Sequence, residues 1–93
     1  NFEKQKKFSD LLGVGGGNLS YDFYLPNHNM LIECQGEQHE RPIEFFGGEE
    51  QFKIQQEHDR RKREYAKDNG YRLLEISYKD YNNIDNILTK AIN

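Results

Sequence analysis

The stretch Leu19-Ser20-Tyr21-Asp22-Phe23-Tyr24-Leu25 constrains the fold more than any other part of the chain. Its side chains alternate with a period of two, which suits an extended strand and not a helix. Alternation puts Leu19, Tyr21, Phe23 and Leu25 on one face and Ser20, Asp22 and Tyr24 on the other. Pro26-Asn27-His28-Asn29 has the composition of a turn. Met30-Leu31-Ile32-Glu33-Cys34-Gln35 then resumes an extended pattern that Gly36 stops. So short a connection joins antiparallel neighbours, so the two strands form a hairpin. Its pleat sets Glu33 and Gln35 on one face, opposite Met30, Ile32 and Cys34.

Past a loop over residues 42–48, Glu49 and Glu50 mark a helix N-terminus, where the helix dipole favours negative charge. The helix is expected over residues 49–69, with Gly70 as its left-handed stop. Phe52, Ile54, Tyr65 and Ala66 are its few apolar residues, so most of its surface faces water, a polar cleft or a polyanion. Residues 71–78 read as a third strand. Ile84, Ile87, Leu88, Ala91 and Ile92 recur at helical spacing and predict an amphipathic helix on the sheet. Residues 2–8 read as an edge strand. Gly13-Val14-Gly15-Gly16-Gly17-Asn18 lacks the Gly-Lys-Ser/Thr ending of a phosphate-binding loop and reads as a linker. The expected fold is α/β, a small mixed β-sheet with flanking helices, in a single domain over residues 1–93. With no initiator Met, the chain is expected to be a fragment of a longer protein.

Composition bears on whether such a sheet can be stable. Only 34% of residues are hydrophobic and 31% are charged, close to the range of disordered chains. Six Phe and six Tyr counter that, because each ring can bury a large area. No apolar run reaches the length of a membrane span, and no signal-peptide core is present. A single cysteine rules out an internal disulfide framework and suits a reducing, cytoplasmic compartment. The net charge of -3 argues against nucleic acid only as an average, since Lys4, Lys6 and Lys7 and the run Arg60, Arg61, Lys62, Arg63 concentrate positive charge.

Chemistry-bearing residues gather in three places: Asp22; Glu33-Cys34-Gln35-Gly36-Glu37-Gln38-His39; and Glu57-His58-Asp59-Arg60-Arg61. Hydrolysing a phosphodiester calls for a hard divalent cation on the phosphate and a base near neutral pKa for the water. Mg2+ takes oxygen ligands and only one or two protein carboxylates, and histidine is the base whose ordinary pKa fits. A carboxylate behind that histidine fixes its tautomer. Asp22, Glu33, His39 and Asp59 supply these parts if the hairpin and the polar helix converge. Singly, each has a plainer explanation: a solvated strand acid, an exposed edge, a surface histidine, an ordinary helix ion pair.

Over residues 19–76 the chain resembles the PD-(D/E)XK nuclease superfamily, and within it the very-short-patch-repair-like, EDxHD-type phage homing endonuclease domains. The resemblance is carried by Asp22-Phe23-x-x-Pro26, by Ile32-x-x-x-Gly36 with His39 close behind, and by Glu57-x-Asp59-Arg60-Arg61 followed by Asn69-Gly70-Tyr71-Arg72-Leu73-Leu74. It implies a restriction-endonuclease-like core and an Mg2+- or Mn2+-dependent DNA endonuclease acting on double-stranded DNA. By the same resemblance Asp22 and the backbone carbonyl of Cys34 would hold the metal, His39 would act on the water, and Asp59 would orient His39. Gln35 stands where the wider superfamily carries a lysine, and it cannot act as a cation. Glu33 stands where that superfamily carries a second metal carboxylate, so it is a further ligand candidate. The cationic run Arg60, Arg61, Lys62 and Arg63 would contact phosphates, with Phe45-Phe46 either stacking on bases or capping the core.

Two departures accompany the resemblance. The family's acid upstream of the first strand has only Glu3 as a counterpart. The structural zinc of the mismatch-repair branch also lacks its ligands, since His28, His39, His58 and one Cys are scattered. Nothing resembles a reading head for base edges, so target specificity is expected from another domain of the full protein, and a homodimer is left open. Rival readings are a restriction or mismatch-repair nuclease, an inactive nucleic-acid-binding module of the same fold, and a protein-interaction domain.

Overall fold

The structure is a computed structural model that describes residues 2–36 and 48–92. In chain order it comprises strands β1 (Glu3–Leu12), β2 (Asn18–Leu25) and β3 (Met30–Gln35), helix α1 (Gly48–Asp68), strand β4 (Arg72–Ser77) and helix α2 (Ile84–Ile92). Short 3-10 segments fill Pro26–His28 and Tyr78–Asn83. The strands form one mixed sheet in the order β1-β2-β3-β4. β1/β2 and β2/β3 pair antiparallel, and β3/β4 pair parallel. A parallel pair needs a crossover, and α1 lies within the segment that joins β3 to β4.

The sheet separates two apolar clusters. Leu11, Tyr21 and Leu31 are buried with Ala66 of α1, joined by Phe8, Tyr24, Tyr65 and Tyr71. Met30, Ile32 and Ile76 pack under Ile84, Ile87, Leu88 and Ala91 of α2. Because neighbouring residues of a strand point to opposite faces, Leu31 on one side and Met30 and Ile32 on the other place a helix on each face. The aromatic residues carry much of the first cluster, with Phe8 against the rings of Tyr21, Tyr65 and Tyr71. Tyr21 is fully buried, and its hydroxyl donates to the Lys62 carbonyl at 2.7 Å. Tyr21→Phe keeps the ring and loses this bond, and should cost about 1 kcal/mol in urea unfolding.

β2 departs from the simple alternation expected for it. Leu19 and Tyr21 face α1, but Phe23 and Leu25 face α2, with Tyr24 on the α1 side. The phase shifts at Asp22, opposite Gln5, which adopts a left-handed φ of 51°. The partners on either side of this rung, Lys4↔Phe23 and Lys6↔Tyr21, keep their register. β1 also continues beyond residue 8, to Leu12, after a register shift between Lys7 and Leu12. Those two irregularities hide its period in the sequence, and they bring Leu11 into the core.

Two contacts bind the hairpin turn to β4. Asn29 Nδ2 donates to the Gly70 carbonyl at 2.7 Å, and the Arg72 N–H donates to the Asn29 carbonyl at 2.9 Å. Gly70 takes φ 76° and ends α1, with Tyr71 N–H returning to the Ala66 carbonyl. The helix stop therefore also places Arg72 beside Met30 at the start of the parallel ladder.

Candidate active site

β2 and β3 pair backbone to backbone only from Phe23↔Ile32 to Leu25↔Met30. Beyond that rung the Cys34 N–H donates to Oδ2 of Asp22 at 2.7 Å. A side chain thus takes the hydrogen bond that a continuing ladder would have supplied, at the rung where β2 changes phase. The N–H and C=O of one strand residue point to the same edge, so the Cys34 carbonyl faces the opening that holds the Asp22 carboxylate. Among the described residues no other hydrogen bond reaches Asp22.

Glu33 points to the α1 side, as its place in the pleat predicts, and is only 5% exposed. Lys62 of α1 meets it, with Nζ 2.9 Å from Oε1. Burial pushes the Glu33 carboxyl above its ordinary range. Lys62 opposes this, and the charges of Asp22 and Asp59 push it further up. The hairpin and the polar helix therefore bring Asp22, Glu33 and Asp59 within electrostatic reach of one another. Asp59 is 6% exposed and accepts from Gln55 Nε2 at 3.3 Å.

Cys34 directs its side chain into the cluster under α2. Burial, with Asp22 and Glu33 nearby, pushes its thiol up. A protonated thiol is a poor nucleophile and a poor metal ligand, which leaves the backbone carbonyl as the group Cys34 can offer. Gln35 Nε2 is engaged with Glu75 Oε1, and Arg63 forks onto the same carboxylate at 2.7 and 2.9 Å. Tyr81 had no signal in the sequence, because it lies in a 3-10 segment without a period. It is 41% exposed, and burial, then Cys34 and Asp22, push its phenol up.

Every cation of the run 60–63 has an acid partner within the chain. Arg60 bonds Glu57 and Glu64, Arg61 bonds Glu57 and the Leu12 carbonyl, Lys62 bonds Glu33, and Arg63 bonds Glu75. The hydrogen bonds from Arg60 and Arg61 hold the Glu57 carboxyl down to about 2. Of the four, Lys62 is the one drawn inward, its side chain only 12% exposed.

His58 points to the glycine-rich loop. Its Nε2 accepts the Val14 N–H at 3.0 Å, so the ring is neutral with its proton on Nδ1. A Cβ on Gly13 would stand 2.9 Å from this Nε2 and from a Leu19 methyl, so a larger residue there would push on the His58 ring and the Leu19 side chain. Burial, then Arg61 and Lys62, lower the His58 pKa from 6.5. The stability contributed by the neutral ring is complete above the unfolded value and is lost as pH falls through the depressed folded one. The hydrogen-exchange protection of the Val14 amide should therefore fall as the pH drops below the ordinary histidine value of 6.5 in the wild type. In His58→Ala it should be low and flat over the same range.

His39, with Glu37, Gln38 and Phe45-Phe46, lies outside the described residues. Among the described residues no group of three His, Cys, Asp or Glu side chains is arranged to hold a metal ion. Mg2+ asks for less, since it keeps several waters and binds through one or two carboxylates. Asp22, the Cys34 carbonyl and Glu33 offer oxygen donors of the kind Mg2+ takes. Among the described residues no helix is long and apolar enough to cross a membrane. No protein-family model matches the chain, and no match is found among the curated proteins or the solved structures.

Proposed function

We propose that the chain is the catalytic domain of an Mg2+- or Mn2+-dependent DNA endonuclease with a restriction-endonuclease-like core, of the PD-(D/E)XK kind and nearest to homing enzymes. The observation that carries the reading is the junction at Asp22. There the Asp22 carboxylate of β2 accepts the Cys34 N–H at the edge where β2 and β3 part, with the Glu33 carboxylate near enough for the two charges to act on each other. Asp22 and the Cys34 carbonyl would hold the metal, with Glu33 as a further ligand. A bound divalent cation supplies charge for the scissile phosphate and lowers the pKa of a water. Asp59 belongs to the same cluster and fits the role of orienting His39, the proposed base.

Arg60 and Arg63 fit phosphate contact. Their side chains are 57% and 53% exposed, and exposed ion pairs hold their partners by only about 0–1 kcal/mol, so a phosphate can compete. Arg60→Ala and Arg63→Ala should each weaken binding to duplex DNA and flatten the slope of log K against log salt by about one.

A second reading, an inactive nucleic-acid-binding module of the same fold, is favoured by the Lys62 ammonium already neutralising Glu33. Incubation with supercoiled and linear duplex DNA decides between them. The nuclease reading expects Mg2+- or Mn2+-dependent cleavage that EDTA abolishes. Salt-sensitive binding with no cleavage in either metal would overturn it in favour of the binding module.

A further inference from the structure

The Lys62–Glu33 pair is not explained by stability. Taking both charges out of water costs several kcal/mol per ion, and apolar replacements of such pairs are often as stable. Its side chains are 12% and 7% exposed. Asp22 adds its charge close to Glu33, so two carboxylates face the one ammonium, while Arg63 is committed to Glu75. The ammonium therefore stands where a more highly charged cation would be more favourable.

The two ends of Lys62 also differ. Its backbone carbonyl is anchored by the buried Tyr21 hydroxyl at 2.7 Å. Its Nζ is held by one hydrogen bond to Glu33 and lies 5.8 Å from the centroid of the Tyr21 ring. A four-carbon stem with free rotors can move that charge without moving the helix.

Building on the nuclease reading, we infer that Lys62 is the resident counter-ion of the metal site. Its ammonium holds Glu33 in the metal-free protein and gives that carboxylate up to an incoming divalent cation. Lys62 is thus a positioning residue that keeps the site assembled without metal and sets how tightly the metal binds. Two cations cannot share one carboxylate without repulsion, so removing the ammonium tightens the metal site.

The test uses Mn2+ alone, without DNA, with free ion followed by electron paramagnetic resonance on the whole chain. Lys62→Met should bind Mn2+ at least about tenfold more tightly than the wild type. Lys62→Arg should stay near the wild type, and Asp22→Asn should weaken binding in either background. Equal or weaker binding by Lys62→Met, with Asp22-dependent binding by the wild type, would overturn the counter-ion role and leave the metal site standing. No binding by the wild type or by Lys62→Met would overturn the metal site itself. A measurement on the wild type covers the case in which Lys62→Met does not fold. The Lys62 Cε resonance should shift during Mg2+ titration, and a Lys62 signal that stays fixed while signals around Asp22 move overturns the inference.

Discussion

Asp22→Asn should lower the cleavage rate by about 10³-fold or more, while the melting temperature stays within about 4 °C of the wild type. Asparagine is the informative replacement because it separates the two tasks of Asp22. The side chain accepts the Cys34 N–H through Oδ2 at 2.7 Å, and an amide oxygen can accept that bond equally well. The negative charge is what a metal would require, and only that is removed. Alanine would also leave the Cys34 N–H without its partner and confuse a loss of fold with a loss of chemistry. Cleavage kinetics beside a thermal melt make the check. An Asn variant that cleaves at the wild-type rate would place the metal elsewhere.

Lys62→Met should destabilise the metal-free protein by about 3 kcal/mol, because it strands the Glu33 carboxylate in a buried site. For a domain of this size that is a drop of about 12–20 °C. Glu33→Met should cost less, since Asp22 and Asp59 remain to attract the Lys62 ammonium. The double variant should return to within about 1 kcal/mol of the wild type, because two apolar side chains can fill the space of the pair. Urea unfolding of the four proteins gives the coupling energy directly. Equal losses that simply add would mean that the two groups do not act as a pair.

Strand and helix positions were legible wherever one period ran unbroken. β3, α1, β4 and α2 lie within a residue or two of the ranges that alternation, the Gly70 stop and the spacing of Ile84, Ile87, Leu88 and Ala91 predict. The side of the sheet that each residue faces was legible in β3, where Glu33 is opposite Met30, Ile32 and Cys34. It was not legible in β2, because a shift of phase at one rung leaves the letters unchanged and reverses every side chain beyond it. β1 was half legible for the same reason, with its register shift beyond Lys7 concealing the inward turn of Leu11.

For the candidate site, the inventory could be read from the letters alone: an acid on the first strand of a hairpin, Glu-Cys-Gln on the second, and an acid beside a cationic run on a polar helix. Residue type and local period suffice for that, since both are properties of a few consecutive residues. Which groups meet depends on packing between segments distant in the chain. The four cations of residues 60–63 are alike in sequence, yet Arg60, Arg61 and Arg63 face acids at the surface while Lys62 turns inward to Glu33. Nothing local distinguishes them, because that choice depends on how α1 is rotated over the sheet. The rotation is set by contacts far apart in the chain, the Tyr21 hydroxyl on the Lys62 carbonyl and the packing of Ala66 with Leu31.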